Sequence, residues 1–197
     1  MNNFRLTHFL TSNVDFDSLE LEALISNCTM KQLAKGEFVL REGDICNHSF
    51  FVEKGLLRQY SIDDKGKEHI IQFAPESWFV SDRESMYFGR PSHFFIQAVE
   101  ESVVMMIDDQ FMAEITKQNP AFIEFNNKLL HNHIRHLQFR IKMLLSATAE
   151  ERYLEFVKIY PDILLRVPQT MVASYLGITP ESLSRVHREL ATKNFKK

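Results

Sequence analysis

The sequence predicts an α+β protein with an N-terminal antiparallel β-roll and flanking helices, a long dimerisation helix, and a C-terminal helix-turn-helix domain. Three observations predict this fold. Strand-like runs separated by turns occupy about the first 110 residues, and a stretch free of glycine and proline follows them. Two short amphipathic segments then meet at Gly177. The expected domain limits are 1–120, 121–146 and 147–197.

Short apolar runs alternate with turn residues throughout the N-terminal part. A short helix is expected first, from Asp17 to Ser26. Glycine and aspartate then separate the runs, for example at Gly43-Asp44 and at Asp63–Gly66. Several short strands at close spacing, joined by such turns, are typical of a small antiparallel roll or barrel. The expected strands cover residues 37–40, 50–52, 57–61, 69–73, 94–99 and 102–107.

One long helix is expected over residues 121–146. Its apolar residues are spaced alternately four and three apart over about three heptads, which is typical of a coiled-coil seam. A buried asparagine at such a position fixes register and partner number at a cost in stability. The seam either pairs two chains into a homodimer or packs on its own domain. It consists of Ile123, Asn127, Leu130, Ile134, Leu137, Ile141 and Leu144.

Helix-start signals mark the C-terminal domain. Residues 148–151 read Thr-Ala-Glu-Glu, a capping box that predicts a new helix. Further on, Thr179 is an N-cap candidate, and Pro180 suits the first helical position because its missing N–H would have no partner there. Apolar residues on both sides of Gly177 form the expected buried contact between two helices. They are Val172, Ala173, Leu176, Ile178, Leu183 and Val186.

Polar side chains on the first turns of the second helix predict a DNA-reading surface. In a helix-turn-helix, this second helix enters the major groove. Arg185 can bind guanine through two hydrogen bonds, Glu181 can accept one from cytosine, and Ser184 is adaptable. The competing interpretation is an ordinary helical hairpin at the surface. The candidate DNA contacts are Thr179, Glu181, Ser182, Ser184, Arg185 and Arg188.

The charge distribution supports double-stranded DNA as a partner. The net charge of −3 is unevenly placed, because residues 150–197 carry eight Lys or Arg against six Asp or Glu, which leaves −5 on residues 1–149. From Arg185 onward, five basic residues stand against Glu189 alone. An acidic body with a basic end directs a duplex to that end.

Composition indicates a reducing compartment. No apolar run approaches the length of a membrane span, and the N-terminus does not lead into a signal-peptide pattern. Cys28 and Cys46 are too few for a disulfide scaffold or a four-thiolate iron–sulfur cluster. We therefore expect a cytoplasmic protein with no membrane partner and no cofactor.

Several short motifs follow one another along the chain: Lys35–Glu37, Arg41–Asp44, Val52–Gly55 with Arg58, Asp64–Glu68, Ala149–Arg152 and the helix-turn-helix. Their order resembles the Crp–Fnr family of bacterial transcription regulators over essentially the whole chain. The resemblance implies a cyclic-nucleotide-receptor-type β-roll (a jelly roll), a dimerisation helix and a DNA-binding domain. Glu181, Ser184 and Arg185 look like the Fnr-type reading head, whose three residues contact the half-site, and RNA polymerase is a further candidate partner.

Two departures from the family pattern matter. The family's nucleotide cassette carries an Arg-Ser/Thr-Ala sequence whose arginine neutralises the cyclic phosphate, but that position reads Ser-His-Phe at residues 92–94. We therefore expect an unidentified effector rather than cyclic AMP. The β-hairpin wing that usually follows the helix-turn-helix is also missing before Lys197, so phosphate contacts are expected from the basic tail. The candidate effector-pocket residues are Ser81, Asp82, Arg83, Arg90, Ser92, His93 and Gln138.

Other kinds of site are less well supported. His131, His133 and His136 have no neighbouring carboxylate or thiol to complete a metal shell, so no metal site is expected. Cys46 has no group to orient it as a nucleophile, and no phosphate-binding glycine loop or hydrolase elbow is present. The sequence thus predicts a DNA-binding regulator and not an enzyme, since a cupin-like enzyme would need metal histidines. The alternative is an effector-binding or scaffold protein of the same architecture with weak or lost DNA binding.

Overall fold

Two four-stranded antiparallel sheets form the N-terminal part of the computed structural model, which describes residues 4–194. The first sheet has the order β1-β8-β3-β6 and the second β2-β7-β4-β5. The strands are β1 (Thr29–Leu33), β2 (Phe38–Leu40), β3 (Ser49–Lys54), β4 (Leu57–Ile62), β5 (Glu68–Ala74), β6 (Phe79–Val80), β7 (Phe95–Ala98) and β8 (Ser102–Ile107). Six of them match the expected strands to within two residues at each end, which confirms the predicted roll.

Helices precede, interrupt and follow the roll. They are α1 (Arg5–Thr11), α2 (Ser18–Ser26), α3 (Arg83–Phe88), α4 (Asp109–Gln118), α5 (Ala121–Ser146), α6 (Ala149–Ile159), α7 (Ile163–Arg166), α8 (Gln169–Leu176) and α9 (Pro180–Asn194). Over the described residues, none of these helices is both long and apolar enough to cross a membrane.

Apolar side chains from both sheets fill the interior of the roll. Phe50 and Val52 of β3 meet Leu57 of β4, Ile96 of β7 and Val104 of β8, and all five are buried. Strand β7 alternates half-buried and fully buried residues, as a strand with one face on the core should. This packed interior holds the two sheets together and fixes the position of the loops at their ends.

Helix α5 presents two different faces. One face packs on its own chain, where Phe122 is buried in a cluster with residues of α1, α2 and α4. The other face carries the predicted seam, on which Ile134 is 49 % and Ile141 56 % exposed. Most of the seam is therefore exposed in the single chain, and its last residue, Leu144, contacts the helix-turn-helix of the same chain.

The C-terminal helices pack on the second sheet through an aromatic cluster. Phe156, Tyr160 and Tyr175 surround Phe73 of β5, with ring centroids 5.7 to 6.2 Å from that ring. Ser174 of α8 also covers the open edge of β5. Its hydroxyl donates to the carbonyl of Glu68 at 2.8 Å and accepts from the N–H of Ile70 at 3.0 Å. A helix thus satisfies backbone groups that an edge strand would otherwise expose.

A three-residue ion-pair network closes the same contact. Arg166 of α7 binds Glu76 at 3.0 Å and Glu100 at 2.6 Å, and these carboxylates lie in turns that follow β5 and β7. The hydrogen bonds that Arg166 donates to Glu100, together with those it donates to Glu76, raise the pKa of its guanidinium above the ordinary value. The guanidinium therefore stays charged between two carboxylates that belong to the roll.

Candidate nucleic-acid interface and effector pocket

The turn of the helix-turn-helix has the local geometry that its sequence indicates. Gly177 adopts a left-handed conformation, φ +66°, which ends α8. The N–H of Ile178 donates to the carbonyl of Ala173 at 3.0 Å. Helix α9 then begins at Pro180, and the hydroxyl of Thr179 accepts from the N–H of Ser182 at 3.2 Å. The predicted cap and first helical residue are both confirmed.

Helices α8 and α9 meet through the apolar residues expected from the sequence. Val172, Ala173 and Leu176 of α8 are buried, as are Leu183 and Val186 of α9. The hairpin is not isolated at the surface, since α6 packs against both of its helices. This packing orients α9 and leaves one of its faces in solvent.

The exposed face of α9 carries the polar residues predicted to read DNA. Glu181, Ser184, Arg185 and Arg188 are all exposed, and spacings of three and four place them on one side of the helix. Thr179 and Ser182 are instead engaged in the cap, so their hydroxyls stabilise the start of the helix. The structure therefore presents four of the six predicted DNA contacts together on a free surface.

The basic end of the chain is only partly within the described range. Lys193 on the last turn of α9 forms an ion pair with Glu150 of α6, with Nζ 2.7 Å from the carboxylate. Lys196 and Lys197, which were expected to contact phosphates, lie outside the described residues. Lys193 would have to leave Glu150 to contact a phosphate.

The start of α3 shows how the chain fills the position of the nucleotide cassette. Asp82, which is 4 % exposed, accepts hydrogen bonds from the N–H groups of Glu84 at 3.0 Å and Ser85 at 3.2 Å. Its second oxygen accepts from the hydroxyl of Ser92 at 2.7 Å. Backbone N–H groups of this kind are the donors that a bound phosphate uses. Here a carboxylate of the chain itself occupies them.

The remaining pocket candidates do not join this pair. The guanidinium of Arg90 is exposed and binds Glu84 at 3.0 Å, and the side chain of His93 is exposed. Gln138 lies exposed on α5, while the carbonyl of Ser81 accepts from Gln59 at 3.3 Å. Arg83, at the first position of α3, is also exposed. The structure thus brings Asp82 and Ser92 together, and within residues 4–194 no lysine or arginine forms an ion pair with Asp82.

Cyclic AMP and cyclic GMP are expected to bind weakly or not at all. A phosphate at the start of α3 would meet the carboxylate of Asp82, and the nearby guanidiniums do not face that position as countercharge, since Arg83 is exposed and Arg90 pairs with Glu84. Calorimetric titration of each nucleotide into the protein checks this. Micromolar affinity would contradict it, and would mean that Arg83 or Arg90 moves to supply the missing charge.

Histidines and cysteines form no site of their own. No three His, Cys, Asp or Glu side chains come together as a metal ion would require within residues 4–194. Burial raises the pKa of the Cys46 thiol, and it raises the pKa of Cys28 to about 11. Both groups are therefore protonated and unreactive near neutral pH.

Sequence reasoning did not identify the residues that link the C-terminal helices α7 and α8 to the roll and to α5. Arg140 of α5 donates to the carbonyls of Ile70 and Tyr175, each at 2.9 Å. Ser174 and Arg166 supply the other contacts described above. No local pattern indicates these roles, because each contact joins residues at least 35 positions apart.

Comparison with known proteins agrees with this geometry. The cyclic nucleotide-binding domain family model matches residues 30–119. The chain is 29 % identical over 171 residues to the transcriptional activator protein anr of Pseudomonas aeruginosa, a match that covers 79 % of this chain and 68 % of that protein. The fold is similar to FixK2 from Bradyrhizobium japonicum, with a TM-score of 0.70 and 19 % identity over 85 % of this chain and 86 % of that chain.

A structure described as a Crp/Fnr-family regulator from Eubacterium rectale covers still more of the chain. It has a TM-score of 0.67 at 18 % identity and covers 94 % of this chain and 88 % of that one. The matched region spans between 60 % and 68 % of the length of the curated relatives. The chain thus carries a cyclic nucleotide-binding domain over residues 30–119, and it is similar in sequence to the activator anr and in fold to FixK2 and to the Crp/Fnr-family structure.

Proposed function

We propose that this protein is a homodimeric, sequence-specific DNA-binding regulator of transcription. The observation that carries the proposal is the free polar face of α9, where Glu181, Ser184 and Arg185 are exposed while the apolar face of the same helix is buried. These three residue types match base edges in a major groove. The relative named above as a transcriptional activator supports the same function.

The exposed seam of α5 supports a dimer. A 26-residue helix already uses one face to pack on its own chain, so the second apolar stripe lacks a partner until another copy supplies it. Parallel pairing would place Asn127 opposite Asn127 of the second copy, where the two amides can bond to each other. A two-fold dimer presents two copies of α9, about one turn of DNA apart, so the operator is an inverted repeat.

Regulation would act on the relative orientation of the two C-terminal domains of the dimer, called reading domains below because each contains the helix-turn-helix. Each reading domain is packed on its own roll through the aromatic cluster and Arg166. A small molecule bound in the roll could therefore shift one protomer as a body relative to the other. RNA polymerase is the partner that a DNA-bound regulator of this family would engage.

Arg185→Ala should separate sequence reading from general affinity. Loss of one bidentate contact should weaken binding to the matched operator by about 1–3 kcal/mol, and the loss should fall mainly on one base pair of each half-site. Fluorescence anisotropy against matched and scrambled duplexes at several salt concentrations measures both effects. Lys193→Gln is the control: if Lys193 leaves Glu150 to contact a phosphate in the complex, loss of that contact weakens binding to all sequences alike and lowers the salt slope by about one.

Two results would count against this function. Equal weakening of both duplexes by Arg185→Ala would make Arg185 a backbone contact. Absence of any duplex preference in the unaltered protein would instead favour an effector-binding or scaffold protein of the same architecture. Selection against randomised duplexes distinguishes these cases, since a reader of sequence enriches one motif.

A further inference from the structure

The last turns of α5 contact the helix-turn-helix directly. Leu144 is the final residue of the seam, and its Cδ2 lies 3.1 Å from the point where a Cβ on Gly177 would stand. The turn between α8 and α9 therefore rests on a residue that faces the second copy in the proposed dimer. In the proposed dimer, a change in how the two seams pair would therefore move Leu144 and, through direct contact, the turn at Gly177.

Arg140 lies one turn before Leu144 on α5 and adds contacts to the roll and to α8. Its Nη2 donates to the carbonyl of Ile70 on β5 and to the carbonyl of Tyr175 on α8, both at 2.9 Å. Its guanidinium carbon lies 3.7 Å from the centre of the Tyr175 ring, a cation–π contact. One side chain thus joins the long helix, the roll and the first helix of the reading hairpin.

Arg152 of α6 completes the link. Its Nη1 donates to the carbonyl of Leu176 at 3.1 Å, and its Nη2 donates to that of Leu144 at 2.9 Å. Its Nε donates to the carbonyl of Ala147 at 3.1 Å. The carbonyls at the ends of α5 and α8 are therefore tied to one guanidinium, as expected for cations at helix C-termini.

Stability alone does not explain an arginine at position 140. Among residues 4–194 no carboxylate forms a salt bridge with Arg140, and its Nη1 is buried without a hydrogen-bond partner there. The groove around it is lined by apolar side chains such as Phe139, Met143 and Phe156. An apolar residue would fill such a place at no cost in charge burial. The guanidinium instead fixes the position of α5 relative to its neighbours, because it contacts the carbonyls of Ile70 and Tyr175 and the Tyr175 ring.

We propose that Arg140 is a positioning residue that sets the distance and angle of the recognition helix relative to the dimer axis. Through Arg140 and Leu144, the spacing of the two half-sites is determined on α5, outside the helices that contact DNA. This inference rests on the proposed function for its DNA-based test, but the geometry it describes belongs to the dimer and can be measured without DNA.

The DNA-based test varies the spacing between two half-sites. The unaltered protein should prefer one spacing by about tenfold or more over spacings one base pair longer or shorter, since misplacement removes base contacts from one half-site. Arg140→Met should flatten this preference while affinity for a single half-site stays unchanged. Arg135→Met removes the same charge from an exposed position of α5 and is the matched control. An unchanged spacing profile in Arg140→Met would overturn the proposal.

The second test measures the dimer alone. Ala191→Cys, in a protein whose Cys28 and Cys46 are replaced by serine, places a single spin label on an exposed position of α9 in each copy. The distance distribution between labels should be narrow, should broaden in Arg140→Met, and should stay narrow in Arg135→Met. Arg140→Lys, which retains the charge without the planar fork, should broaden it less and serves if the methionine variant does not fold.

The two tests distinguish failure of the proposed function from failure of the positioning role. A distribution that broadens as expected in a protein that binds no duplex would reject the proposed function and leave the positioning role intact. A distribution that stays narrow in both Arg140 variants would reject the positioning role, whatever the protein binds.

Discussion

Leu137→Glu should convert the dimer into a monomer. Leu137 lies in the middle of the seam and is 37 % exposed in the single chain, so we expect the protomer to fold with glutamate at this position. In the dimer it would place two carboxylates against each other across the two-fold axis in an apolar interface, which costs several kcal/mol. Light scattering coupled to size-exclusion chromatography should give the mass of one chain instead of two.

Loss of the dimer in Leu137→Glu should also reduce the affinity for DNA. Two linked reading heads bind an inverted repeat about 10²–10⁴ times more tightly than one head binds alone, because the second contact becomes intramolecular. Leu137→Glu should therefore lose most of its affinity for the full operator and little of its affinity for a half-site. Asn132→Glu adds the same charge to an exposed position on the side of α5 opposite the seam and should leave mass and affinity unchanged. A dimeric Leu137→Glu protein would overturn the assignment of the seam.

The seam and the reading face were predictable because their signals are local. The residues of each lie on one helix, and helical periodicity alone places them on one face. The six predicted strands carry the same kind of local signal. Strand β1 was missed because it is an edge strand whose residues are mostly exposed, so its sequence lacks an apolar alternation. Strand β6 consists of two residues and is too short to show any pattern.

The effector position required information that no local pattern contains. The sequence shows that the cassette arginine is missing, and the structure adds that Asp82 occupies the donors a phosphate would need. The hydrogen bond that the hydroxyl of Ser92 donates to Asp82 joins two segments at the end of the roll. The pairing of Arg166 with Glu76 spans 90 residues. Contacts of this kind depend on the assembled fold, and they decide how the reading domain is held.

Phe156→Ala should be among the most destabilising single changes in the chain. Phe156 is 1 % exposed, and its ring centroid lies 5.3 Å from Tyr160 and 5.2 Å from Tyr175, in the cluster that also includes Phe73 of the roll. Truncation of a buried phenylalanine removes its transfer free energy and leaves a cavity, at a cost of about 3–5 kcal/mol. Chemical unfolding at fixed protein concentration measures the loss.

The same variant tests whether the roll and the reading domain unfold together. Phe156 belongs to the reading domain and Phe73 to the roll, so their contact is part of what makes the two a single cooperative unit. The unaltered protein should unfold in one transition, and Phe156→Ala should separate it into two when followed by calorimetry. Phe88→Ala, which removes a ring that is 70 % exposed, should change stability by less than about 0.5 kcal/mol. Two transitions in the unaltered protein would show that the reading domain is held on the roll too weakly for the protomer to move as one body.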